Sequence, residues 1–340
     1  MTSEQPGVER SEVSWQLDAT TVYGTLVRPS GQGLFPAVVM VAGSGPTDRD
    51  WNSPLIPGAN GSARLVAEAL AERGFASLRY DKRAAGPHAA ENLPALVGKM
   101  SMQSHLDELV GAVRALADQA WVERARIFAL TSSEGALHAL NYQVHDPAIP
   151  FAGLVLTGAP GRAIGAVGRA QIAAQAANVP SGAEVMAAYD AAIGRFLAGQ
   201  PITPDPSLPQ PIVMLLQSLE YPANLPFARE LWTTDATAWL ADVSVPVLVV
   251  IGKKDIQVHW RADGGPLQAA AAGRDVTFLF PENANHVLKH EPTPLAELTP
   301  AAAVARYGSA DSVLDPESLD AILGWLVFHQ ESIDRLRVAL

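Results

Sequence analysis

Apolar residues along this chain fall into two kinds of pattern, short continuous or alternating runs and longer stretches spaced three and four apart, and their succession predicts the elements. Val8 to Leu17 and Thr21 to Arg28 alternate loosely and are separated by Asp18-Ala19-Thr20. They stop at Pro29-Ser30-Gly31-Gln32-Gly33, which predicts an antiparallel hairpin. Pro36 to Val41 is apolar without interruption, as a strand covered on both faces should be. Ser62 to Arg73 places Leu65, Val66, Ala69 and Leu70 at helical spacing and ends at Gly74. Ala76 to Tyr80 predicts a strand, and Met102 to Ala117 a helix through Leu106, Leu109, Val110, Val113 and Leu116. Arg126 to Leu130 is a strand-like run that passes almost directly into a helical one from Ala136 to Asn141, and Ala152 to Thr157 is the next strand. Strands alternating with helices imply a parallel sheet.

The rhythm stops between Gly161 and Asp242, a stretch rich in alanine and proline with Val185, Met186, Tyr189, Ile193, Phe196 and Leu197 at helical spacing. The prolines at 201, 204, 206, 209 and 211 predict a bend between its helices. The expectation is a helical cap at 161–242, inserted into a core domain made of 1–160 and 243–340. The sheet resumes at Val245 to Ile251 and continues at Thr277 to Phe280, and a helix from Pro316 to His329 closes the chain. The expected fold class is α/β, a mostly parallel sheet with helices on both faces.

Composition narrows the partners. With 340 residues, 48% hydrophobic and 17% charged, the chain can bury a large core. A net charge of −11 argues against non-specific binding to nucleic acid or an anionic membrane and leaves small molecules as the expected partners. The absence of cysteine excludes disulfides, a thiolate nucleophile and cysteine metal sites. Met1 to Arg10 is polar and lacks the apolar stretch of a secretory signal, and no run approaches the roughly 18 apolar residues of a membrane span. A soluble cytoplasmic protein is the expectation.

The candidate chemistry lies at the junction Thr131-Ser132-Ser133-Glu134-Gly135. A serine at a sharp strand-to-helix turn is a nucleophile elbow, in which the next amide starts the helix and can donate to an oxyanion. Gly135 stands two places after Ser133 and three after Ser132, which selects Ser133 as nucleophile and the Glu134 amide as donor. Alone, such a turn is more often a helix cap than a catalytic centre. The glycine-rich Ala42-Gly43-Ser44-Gly45-Pro46 follows a central strand and has two readings. One is a phosphate cradle, although the Gly-Lys-Ser/Thr ending and the dinucleotide spacing are missing. The other is the second half of an oxyanion hole.

A serine hydroxyl needs a base, and the base needs an acid to orient it. Ser133 follows the middle strand, Asp255 the strand beyond the insertion and His286 the last strand, so all three fall at carboxyl ends of parallel strands, where such sheets hold ligands. His105, His138, His145 and His329 lie on or beside helices, and His88 and His259 in loops elsewhere. His290 is the nearest rival to His286.

These motifs resemble the α/β-hydrolase family, and most closely its bacterial esterases. Their oxyanion loop H-G-S-G-P-x-D-R-D is similar to Ala42 through Asp50, and their D-K-R-G to Asp81-Lys82-Arg83-Ala84. Their elbow G-H-S-E-G-G is similar to Thr131 through Ala136, and their N-H-x-L-K to Asn285 through Lys289. Ala42 stands in place of a histidine, and Thr131 and Ala136 in place of glycines. The resemblance implies a cofactor-free serine esterase with Ser133 as nucleophile, Asp255 as orienting acid, His286 as base, and the amides of Ser44 and Glu134 as oxyanion hole. It also implies a small-molecule ester as substrate. Peptidases, thioesterases, acyltransferases and non-catalytic binding proteins share the fold and are the alternatives.

The remaining motifs have structural readings. Asp48, Arg49, Asp50, Asp81, Lys82 and Arg83 are expected to form local salt bridges, and no histidine-carboxylate cluster has metal-ligand spacing. The insertion leaves the sheet on the face that carries Ser133, so the cap is expected to roof the site. Trp232 and Trp239 are then candidate pocket residues, against the competing reading that they only pack the cap helices together.

Overall fold

The computed structural model describes residues 7–145, 147–177 and 179–338. It opens with a hairpin of β1 (Val8–Leu17) and β2 (Thr20–Pro29), turned at Asp18 with a left-handed φ of 53°. Then follow β3 (Phe35–Val41), α1 (Ser62–Glu72), β4 (Ala76–Tyr80), α2 (Ala89–Leu96), α3 (Met102–Ala117), β5 (Val122–Ser132), α4 (Gly135–Val144) and β6 (Leu154–Thr157). The intervening segment holds α5 (Ile164–Ala176), α6 (Gly182–Leu197), α7 (Gln210–Leu219), α8 (Phe227–Thr233) and α9 (Ala236–Asp242). After it come β7 (Val247–Val250), α10 (Gly264–Ala270), β8 (Val276–Leu279), α11 (Pro300–Tyr307) and α12 (Pro316–Val338).

The strands form one sheet in the order β1-β2-β4-β3-β5-β6-β7-β8. β1 and β2 are antiparallel, β2 runs antiparallel to β4, and every pairing from β4 to β8 is parallel. Strand alternation explains why both faces are covered. Along β3, Ala37, Val39 and Val41 point into a core with Leu109 and Val113 of α3, Leu137 and Leu140 of α4, and Leu267 of α10. Val38 and Met40 point the other way, against Val66 and Leu70 of α1 and Ile322 and Leu326 of α12. A strand squeezed between two helical layers must be apolar at every position, which is what its sequence shows. Ile172, Val185, Tyr189, Phe196, Leu216 and Trp232 form a separate cluster within α5–α8.

The hairpin, β3, α1, β4, α3, β6 and β7 lie where the periodicity places them. Helices α2, α10 and α11 have no counterpart in that pattern, because at seven or eight residues they are too short to display an amphipathic period. Among the described residues no helix is long and apolar enough to cross a membrane.

Candidate active site

Ser133 is held in the left-handed region, φ 52°, a conformation that costs an L residue about 1–2 kcal/mol and needs surroundings that enforce it. Those surroundings are the ends of β3 and β6. The Ser133 amide donates to the Thr157 carbonyl at 2.8 Å, and a Cβ on Gly135 would stand 2.5 Å from the Val41 carbonyl. Glycine at 135 therefore lets α4 start directly against β3. A Cβ on Gly43 would fall 3.2 Å from Ser133 Cβ, so the glycine-rich loop lies against the elbow. The departures from the esterase pattern are absorbed by the core: Thr131 is fully buried with its hydroxyl 3.4 Å from the Val155 carbonyl, and Ala42 and Ala136 pack among apolar neighbours.

His286 and Asp255 form a buried pair, with Nδ1 2.7 Å from Oδ2. The other carboxylate oxygen of Asp255 accepts from the amides of Gln257 at 2.7 Å and Val258 at 2.9 Å, which fixes the acid's orientation. A carboxylate accepts, so Nδ1 carries the hydrogen and Nε2 is the basic nitrogen. Asn285 braces the histidine loop through its side-chain oxygen, which accepts from Val287 at 3.1 Å and Lys289 at 2.9 Å. Gly158, at φ 55°, lies beneath the imidazole; a Cβ there would come 3.2 Å from His286 Nδ1. One end of β6 thus supports Ser133 through Thr157 and the His286 ring through Gly158. His290 is turned elsewhere, 3.4 Å from Asp315.

Ser133 and His286 border one cavity of about 260 Å³, together with Gly43, Ser44, Gly45, Trp51, Gln257 and Val287. Among the described residues, neither the Ser44 nor the Glu134 amide has a backbone partner, and Glu134 is the N-cap of α4, at the end where amides lack intrahelical acceptors. Two donors near a serine in such a cavity can stabilise negative charge.

Behind the elbow lies a buried charge cluster. Lys82 Nζ donates to the Gly43 carbonyl at 2.6 Å and stands 3.7 Å from Glu134 Oε1, which is also 3.1 Å from His138 Nε2. Burial alone would push the Glu134 carboxyl up, but Lys82 and His138 outweigh it and hold it far below the ordinary carboxylate range. Burial lowers His138 itself. Next to it, Glu108 binds His105 Nδ1 and Arg83 Nε, each at 2.9 Å. Arg49 pairs with Asp81 at 2.7 Å, Arg79 with Asp50, and Asp48 Oδ1 caps the amides of Asp50 and Asn52. The charged motifs thus serve as local bridges, as expected. Lys82 goes further, since it ties the glycine-rich loop to the elbow. Spacing alone carries no signal for that tie, because the partners come from three different strands.

Of the two readings for the tryptophans, their surroundings fit packing. Trp232 meets Phe196 edge-on at 6.4 Å inside the helical cluster of the insertion, and Trp239 packs on the main core. Neither borders the cavity at Ser133, whose walls come from the loop 43–60 and from Gln257, His286 and Val287. Trp232 on α8 is held within the cluster of α5–α8, whereas Trp239 on α9 lies half-buried against the main core, where α9 meets α4 and α10. Among the described residues no group of three or more histidines, cysteines or carboxylates is placed to hold a metal ion.

No family model matches the sequence. Esterase EstD of Thermotoga maritima is 43% identical over 60 residues, a stretch covering 18% of this chain and only 14% of that relative's length. Solved structures match far more of the chain. The proline iminopeptidase of Mycobacterium smegmatis is 15% identical with a TM-score of 0.54, over 95% of this chain and 100% of that one. The Pyrococcus furiosus esterase PF2001 is 16% identical with a TM-score of 0.53, over 84% and 87%. Porphyromonas gingivalis dipeptidyl peptidase 4 is 14% identical with a TM-score of 0.51, over 83% of this chain and 33% of that one. The chain has the α/β-hydrolase fold.

Proposed function

We propose that this α/β-hydrolase-fold chain is a serine hydrolase that cleaves carboxylic esters through an acyl-enzyme. The observation that carries the reading is the strained Ser133 opening on the same cavity as His286, whose Nδ1 pairs with the buried Asp255. In this reading Ser133 Oγ attacks the ester carbonyl carbon as His286 Nε2 takes its proton, and the amides of Ser44 and Glu134 receive the oxyanion. Collapse of the tetrahedral intermediate expels the alcohol, which takes the proton back from His286. Water, deprotonated by His286, then attacks the acyl-enzyme and releases the acid. Asp255 holds the imidazole in the required tautomer. Residues 161–242 act as a cap over the core domain of 1–160 and 243–340.

Esters are favoured over peptides with a free amino terminus by the cavity walls. Among the described residues, no aspartate or glutamate borders the cavity at Ser133 or the one beside it. An α-ammonium desolvated there would lack a counter-charge, at a cost of several kcal/mol. The test is hydrolysis of p-nitrophenyl acetate with labelling by a serine-directed fluorophosphonate. Ser133→Ala should lose activity by on the order of a thousandfold or more and lose the label. A folded Ser133→Ala protein with undiminished, unlabelled turnover would refute the assignment.

A further inference from the structure

A second cavity, of about 360 Å³, adjoins the one at Ser133 and shares Gly45 and Leu55 with it. It lies where the segment after α7 meets the link between α2 and α3. That seam is fastened: Gly98 N–H donates to the Pro222 carbonyl and Phe227 N–H to the Met100 carbonyl, both at 2.8 Å. The Met102 amide donates to Glu230 at 2.6 Å. The cavity's walls are largely apolar, with Leu55, Leu93, Met100, Ala223 and Phe227, and its polar lining is Lys82, His105, Ser218, Tyr221 and Asn224.

Lys82 and His105 in this lining are already partnered. Lys82 stands 3.7 Å from Glu134, His105 Nδ1 is 2.9 Å from Glu108, and Glu108 also takes Arg83. An ionised ligand group would enter without a free counter-charge and lose its hydration, whereas apolar surface gains about 25 cal/mol for each Å² buried. At this volume the cavity falls at the small end of the range for ligand pockets, about 300–1,000 Å³.

We propose that this cavity is the subsite for one uncharged, apolar arm of the ester, a branched or aromatic group of moderate size. The arm lies between Met100 and the 221–227 segment while the carbonyl sits at Ser133. The inference rests on the esterase reading above and adds to it the substrate class. It also moves the specificity wall from Trp232 and Trp239 to Met100, Tyr221, Ala223 and Phe227.

The acyl and alcohol arms are separated by two ester series, one lengthening the acyl part from acetyl to butyryl to benzoyl on methanol, the other the alcohol from methyl to butyl to benzyl on acetate. In Met100→Trp, which fills the cavity, the ratio of kcat/KM for the largest ester to that for methyl acetate should fall at least tenfold in one series, and that series identifies the arm. Tyr221→Ala removes an exposed wall and should raise the same ratio, so the test stands even where Met100→Trp does not fold. Unchanged ratios in both series, with hydrolysis still dependent on Ser133, overturn the proposal. Titration of benzyl alcohol into the Ser133→Ala protein reads the cavity without turnover, and adding Met100→Trp should weaken binding at least tenfold. A protein that cleaves no ester yet binds the alcohol in this Met100-dependent way would sink the esterase reading and uphold the apolar cavity; binding indifferent to Met100→Trp overturns the subsite.

Discussion

The ammonium of Lys82 donates to the carbonyl of Gly43 at 2.6 Å and so fixes the loop that carries the Ser44 amide. From the same position it faces the carboxylate of Glu134, the N-cap residue of α4. One buried cation therefore ties the glycine-rich loop to the side chain of the residue that follows Ser133.

Lys82→Met should leave Glu134 buried with too little compensation and destabilise the fold by about 3–5 kcal/mol. The double variant Lys82→Met, Glu134→Gln should recover most of that stability but not turnover, since the tie to Gly43 is still missing. Urea denaturation alongside p-nitrophenyl acetate kinetics reads both effects. A double variant no more stable than the single would show that the loss does not come from the stranded carboxylate.

Asp255→Asn keeps the shape of the acid but turns an acceptor facing His286 Nδ1 into a possible donor. Turnover should fall by on the order of a thousandfold or more, with the melting temperature little changed. Equal losses of stability and activity would assign Asp255 a structural role instead.

Trp232→Ala empties a site that is 91% buried in the helical cluster, and should cost about 3–5 kcal/mol. Because Trp232 borders neither cavity near Ser133, the ranking of esters by kcat/KM should stay as in the parent. A reordered ranking would return this tryptophan to the substrate pocket.

Stability should fall on the acid side through Glu108. Burial would raise its carboxyl, but His105 and Arg83 together hold it at about 2, against an ordinary 4.5. A carboxyl depressed in the folded state binds its proton more readily when unfolded, so it contributes stability above the ordinary value and loses it as pH falls from there toward 2. His138, lowered by burial from 6.5, acts in the same direction at the upper end of this limb, because it must charge when the chain unfolds. Melting temperatures from pH 6 to pH 2 should trace the decline, and Glu108→Gln should flatten its lower part. An identical slope in Glu108→Gln would remove this carboxyl as the cause.

The sequence by itself determined the β-α rhythm, the hairpin at the start, the interruption between β6 and β7, and the chain order of Ser133, Asp255 and His286. These are local signals. Val38 to Val41 must be apolar because helices cover both sides, and Gly135 must lack a Cβ because the Val41 carbonyl is 2.5 Å from where it would be. Tertiary structure decided what periodicity cannot express, namely which surface each side chain meets. Trp232 and Trp239 carry the same apolar signal whether they line a pocket or pack a helix, and only the docking of α5–α9 turned them inward. Lys82 is one charge in a charged run until β3, β4 and β5 bring Gly43 and Glu134 to it. The cavity walls likewise join Leu55, Met100 and Tyr221, which are far apart in the chain. Long-range contacts of this kind depend on how whole layers pack, and that packing is spread over the entire core rather than written at any one position.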